Sequence, residues 1–68
     1  MRYTEYSRKL DAIKYMAEHH RTGSPENLAS RLNVSERTVI RMIRQLRRQG
    51  YPIIFDRFRL SYVMHEVE

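Results

Sequence analysis

The amino-acid sequence predicts a mainly α-helical domain with one small β-hairpin, and three features of the chain lead there. Apolar residues recur with helical period over three stretches before Gly50 and with period two after it. Each helical stretch follows a residue suited to cap a helix N-terminus: Thr4, Ser24 and Ser35. A chain of 68 residues without a cysteine builds one small core, with neither a disulfide framework nor a thiolate metal site to brace it. Residues 1–68 therefore read as a single unit, and a second ligand-sensing or catalytic domain is not expected.

The first helix is expected over about residues 4–20. Tyr3, Tyr6, Leu10, Ile13 and Ala17 fall within an arc of about 80° at 100° per residue. Thr4 is the expected cap and Gly23 the expected stop. Ser24-Pro25-Glu26 then supplies a cap, a proline at the first helical position and an acid in the first turn, so a second helix starts there. It spans about residues 25–32, with Leu28, Ala29 and Leu32 apolar, and ends at Asn33, a residue that tolerates the left-handed conformation. Ser35 caps a third helix two residues later. So tight a turn forces a steep crossing, and Ala29 is small enough to let the two helices approach.

The third helix covers about residues 36–49, with Gly50 as its stop. Val39, Met42, Ile43 and Leu46 form its apolar face. Arg37, Arg41, Arg44 and Arg48 lie within about 60° of one another on the opposite side. Beyond Gly50, Ile53, Phe55, Phe58, Leu60 and Tyr62 alternate with Ile54, Arg57, Arg59 and Ser61. That pattern predicts a hairpin over about residues 51–63, turning near Asp56-Arg57. Its apolar face is expected to bury Ile53, Phe55, Phe58 and Leu60 against the third helix. Met16, Met42 and Met64 read as core fillers.

Charge is concentrated rather than spread. The chain carries 13 Lys plus Arg against 8 Asp plus Glu, a formal net charge of +5. The stretch from Arg31 to Arg48 holds six arginines and the single acid Glu36, so it accounts for that whole excess. A positive field confined to one segment points to a polyanion such as nucleic acid. Arginine supplies the planar fork that matches phosphates and guanine edges.

Helix, short helix, tight turn, arginine-striped helix and hairpin follow the order of a winged helix-turn-helix. The run Leu28-Ala29-Ser30-Arg31-Leu32-Asn33-Val34-Ser35-Glu36-Arg37-Thr38-Val39, continued by Ile43, Leu46 and Gly50-Tyr51-Pro52-Ile53, resembles the N-terminal winged helix of biotin-operon repressors and of many sugar and nucleoside operon repressors. The likeness extends over residues 10–60 or so. Asn33 stands where the family's turn usually has glycine, and the wing lacks the glycines that lengthen its tip. The resemblance implies sequence-specific binding to double-stranded DNA by a small transcriptional regulator, with the third helix in the major groove. The expected contacts are Ser35, Glu36, Arg37, Thr38, Ile40, Arg41, Arg44 and Arg48 from that helix and Arg57 from the wing. Ser35 and the helix N-terminus suit a phosphate, and Ile40 either meets a thymine methyl or packs under the wing. Arg47 and Arg48 also suit the helix C-terminus without any partner.

No other chemistry is legible. His19, His20 and His65 have no metal-ligand spacing, and no nucleophile elbow or glycine-rich phosphate loop occurs, so neither enzyme activity nor a cofactor or metal is expected. With no long apolar run and no leader-like start, a cytoplasmic, nucleoid-associated protein away from membranes is expected. One such domain reads few base pairs, so a homodimer is expected. Its surface is either the outer face of the first helix (Arg8, Ala12, Tyr15, His19) or the C-terminal strand continuing to Val67 (Tyr62, Val63, Met64). The competing class is a protein-interaction module of a DNA-processing or phage-type assembly, docking through an apolar patch around Ile40.

Overall fold

Thr4 opens the first helix, α1 (Glu5–Glu18), with its side chain accepting from the Ser7 N–H at 3.1 Å. The computed structural model describes residues 4–65. Leu10, Ile13 and Ala17 are buried as their spacing requires, but Tyr6 is 41% exposed, and Tyr3 lies outside the described residues. The helix ends earlier than the sequence suggests. His20 takes the left-handed conformation at φ +56, so Gly23, at φ +71, shapes the following loop instead of stopping the helix.

The next two helices follow the sequence closely. Ser24 accepts from the Asn27 N–H at 3.2 Å to start α2 (Pro25–Leu32), and Asn33 closes it in the left-handed region at φ 56, ψ 47. The Val34 N–H then donates to Ala29 O at 3.0 Å, which tightens the turn between the helices. Ser35 caps α3 (Glu36–Arg48) by accepting from the Thr38 N–H at 3.1 Å. Gly50, at φ +101, lets the chain reverse after α3, and the Tyr51 N–H returns to Leu46 O at 3.0 Å. Residues of α1, α2 and α3 meet in one core around Ile13, Leu28, Val39, Met42 and Leu46, closed by Ile53 and Tyr62. Met16 and Met64 pack at its margin.

The hairpin corrects the alternation read from the sequence. Its strands are β1 (Ile53–Asp56) and β2 (Ser61–Met64), antiparallel, with Ile53 opposite Met64 and Asp56 opposite Ser61. The turn is therefore residues 57–60, not Asp56-Arg57. Phe58 is fully exposed and Leu60 is 63% exposed, so neither reaches α3. The cause is the Asp56 carboxylate, whose Oδ1 accepts from the Phe58 and Arg59 N–H groups at 2.8 and 3.2 Å. This Asx-type turn takes four residues out of the ladder, and Leu60 completes it at φ +51. Period-two alternation runs the strands through Phe58 and Leu60, which lie in the turn, whereas Tyr62, read on the same face as Phe55, does stand opposite it in the ladder. The residues buried in β2 are Ser61, Tyr62 and Val63, while Phe55 is half-buried, edge-on to the Tyr62 ring.

Ser61 is buried because it belongs to a polar stitch. Thr22, fully buried in the loop after α1, accepts from the Tyr62 N–H at 2.7 Å and lies 3.0 Å from the Ser61 hydroxyl. The Gly23 N–H donates to Ser61 Oγ at 3.3 Å. Side chains thus pair the edge of β2 that β1 leaves open. At the base of the hairpin, the His65 N–H donates to Pro52 O at 2.7 Å. Arg47 Nε, in the last turn of α3, donates to Ile53 O at 2.7 Å.

Candidate nucleic-acid interface

The structure separates the arginines into two groups. Arg31 donates to Arg21 O at 2.8 Å, Arg47 clamps Ile53, and Arg59 engages Asp56 at 3.5 Å and the His20 ring. These cations serve the fold. Arg37, Arg41, Arg44 and Arg48 are exposed on α3 and form no hydrogen bond or ion pair with another described residue. Arg57, in the wing turn, is likewise exposed and outside the internal bonding. An exposed guanidinium left without an internal partner keeps its whole donor fork for a ligand.

The other expected contacts sit around this stripe. Ser35 is exposed, with its oxygen accepting in the cap and lying 3.0 Å from the Thr38 hydroxyl; Thr38 is half-buried. Glu36 is exposed in the first turn, where an acid offsets the helix dipole. Ile40 is 42% exposed.

Two residues join the stripe that were not read as part of it: Tyr6, expected in the core, and Gln45. A mainly polar groove of about 350 Å³ is lined by Tyr6, Arg41, Arg44, Gln45 and Arg48. Tyr6, from the first turn of α1, donates its hydroxyl to Gln45 Oε1 at 2.9 Å. Periodicity placed Tyr6 in the core because it shares an arc with Leu10 and Ile13. The available signal was its position one turn before the first buried residue, where a tyrosine can keep its ring packed and its hydroxyl wet.

Of the two surfaces expected for a homodimer, the C-terminal strand is largely covered. Tyr62 and Val63 are each only 7% exposed, the outer edge of β2 is engaged by Thr22, and the strand ends at Met64. Val67 lies outside the described residues. On α1, Arg8, Tyr15 and His19 are exposed and Ala12 is half-buried, with the Tyr15 and His19 rings 4.3 Å apart. Lys14, nearby, has its pKa raised by the hydrogen bond to Asp11 and then by that to Tyr51, which lie 3.0 and 3.4 Å from its ammonium. Burial pushes the Tyr62 phenol up as well.

A family profile described as an HTH domain matches residues 8–59. The chain belongs to the HTH domain family. In this HTH domain the matched span begins inside α1 and ends in the wing turn, so it contains the helix pair, the whole arginine stripe and Arg57. HTH domains are DNA-binding modules associated with transcription regulation and are generally not enzymes. The three helices and antiparallel hairpin give this one the winged form of the fold. Neither a curated protein nor a solved structure gives a significant match. Among the described residues, no helix is long and apolar enough to cross a membrane, and no group of three or more His, Cys, Asp or Glu is placed to hold a metal ion.

Proposed function

We propose that residues 1–68 form one winged HTH unit that binds double-stranded DNA sequence-specifically, as a small cytoplasmic, nucleoid-associated transcriptional regulator of the biotin-operon-repressor N-terminal type. The carrying observation is that Arg37, Arg41, Arg44 and Arg48 share one exposed face of α3 while Arg31, Arg47 and Arg59 are consumed by the fold. With α3 in the major groove, Arg37 and Arg41 near its start reach base edges, and Ser35, Arg44, Arg48 and the wing residue Arg57 reach phosphates. Glu36 and Thr38 set the register of the helix start, and Ile40 meets a thymine methyl. Two copies pair through Arg8, Ala12, Tyr15 and His19 of α1 to read an inverted repeat.

Duplex affinity measured across a salt series tests this. Four to six phosphate contacts per protomer give a log–log slope of about 0.9 per contact. Arg37→Ala or Arg41→Ala costs about 1–3 kcal/mol and relaxes one base position. Salt-insensitive, undiminished duplex binding by the Arg37, Arg41, Arg44 triple alanine variant sinks the proposal. One observation favours a second function, a protein-docking module: Ile40 and Ile54 are each more than two-fifths exposed. Under that function Ile40→Asp abolishes capture of a protein partner and the arginine variants do not.

A further inference from the structure

The groove between α1 and α3 has a polarity that the arginine stripe alone does not explain. Gln45 is half-buried and offers one acceptor and two donors. Its acceptor is engaged by the Tyr6 hydroxyl at 2.9 Å, which leaves the amide NH₂ as its available group. Arg41, Arg44 and Arg48 line the same groove and carry donors only. Tyr6 therefore converts an ambivalent glutamine into a fourth donor.

We propose that this groove binds a phosphate group, with Tyr6 as the positioning residue and Gln45 as a direct ligand; the assignment to a backbone phosphate of bound DNA rests on the function proposed above. A guanine edge also offers acceptors, but it is neutral; a phosphodiester brings a negative charge to Arg44 and Arg48, and its oxygens accept from guanidinium and amide together. The contact lies toward the C-terminal half of α3, beside the start of α1, and so brings α1 into the DNA-binding surface.

Gln45→Glu keeps an oxygen for Tyr6 while replacing the amide donor with a carboxylate, so the fold is retained. The preferred duplex is selected from a random library with the wild-type protein, and its phosphates are replaced one at a time by neutral methylphosphonates. One substitution is expected to weaken the wild type about ten- to hundredfold, the value of a hydrogen bond to a charged group, and to weaken the Gln45→Glu variant by a clearly smaller factor, since its carboxylate no longer donates to that phosphate and repels its charge. Tyr6→Phe weakens the preferred and a shuffled duplex by the same factor. In parallel, inorganic phosphate is titrated while the Gln45 side-chain amide is followed by NMR, and it shifts that signal in the wild type but not in Tyr6→Phe. A phosphate-induced shift with a flat methylphosphonate scan assigns the groove to a free phosphate-bearing ligand. A Gln45→Glu effect confined to one base pair, or no response in either measurement, overturns the proposal. Failure of the wild type to bind any duplex removes the DNA reading alone, and the phosphate titration still decides the groove.

Discussion

Thr22→Val replaces a hydroxyl with a methyl of nearly the same shape at a fully buried position. The wild-type oxygen accepts from the Tyr62 N–H at 2.7 Å and pairs with the Ser61 hydroxyl at 3.0 Å. Valine leaves the Tyr62 N–H facing a methyl, and an unsatisfied buried donor costs about 1–3 kcal/mol. For a chain of this length, total stability is only roughly 3–10 kcal/mol, and each kcal/mol moves Tm by about 4–8 °C. A fall on the order of 10 °C is expected by circular dichroism, with a lower urea midpoint and an unchanged m-value. Thr22→Ser keeps the hydroxyl and loses one methyl, worth about 1 kcal/mol. The expected order is therefore wild type, then serine, then valine. Packing alone predicts the opposite ranking of the two variants, so a valine protein more stable than the serine protein refutes the hydrogen-bond account.

Leu60→Ala is expected to change stability by less than about 0.5 kcal/mol in urea titrations, because the side chain is largely in water. Leu60→Gly relieves its left-handed backbone and stabilises the fold by up to about 1 kcal/mol, read as a higher urea midpoint. Leu46→Ala, at a fully buried site in the core, costs about 2–5 kcal/mol in the same assay. Thermal melts across alkaline pH should show falling stability above about pH 10, since the folded state holds the Lys14 and Tyr62 protons more tightly than the unfolded chain. Both contributions are complete below the ordinary values of 10.5 and 10.0 and are lost as pH rises through the raised folded values. Tyr62→Phe flattens part of that decline.

Local signals were strong in the helical half. Ser24, Pro25, Asn33 and Ser35 each act through their own backbone or the next turn, so α2, the tight turn and the start of α3 were legible residue by residue. The arginine stripe was legible for the same reason, because helical spacing alone fixes it. The wing was not. Its register depends on how many residues Asp56 holds in the turn, and an aspartate that starts a turn does not state the turn's length. Arg47 shares a helix turn with Arg48, and only the position of the Ile53 carbonyl separates a structural arginine from one left for a ligand. The Tyr6–Gln45 pair, 39 residues apart in the chain, is beyond any periodicity.

The bond from Arg47 to the Ile53 carbonyl couples the last turn of α3 to the first residue of β1. It is charge-assisted and 2.7 Å long, so the wing cannot swing away without breaking one of the stronger hydrogen-bond types in the protein. A surface that grips α3 therefore meets a wing already held in place and loses little chain entropy in organising it. Association should then have the calorimetric character of two preformed bodies, with a heat-capacity change set by contact area and no contribution from coupled folding. Arg47→Met releases that restraint while keeping most of the aliphatic stem, and the conformational entropy of the freed hairpin would then be charged to every binding event.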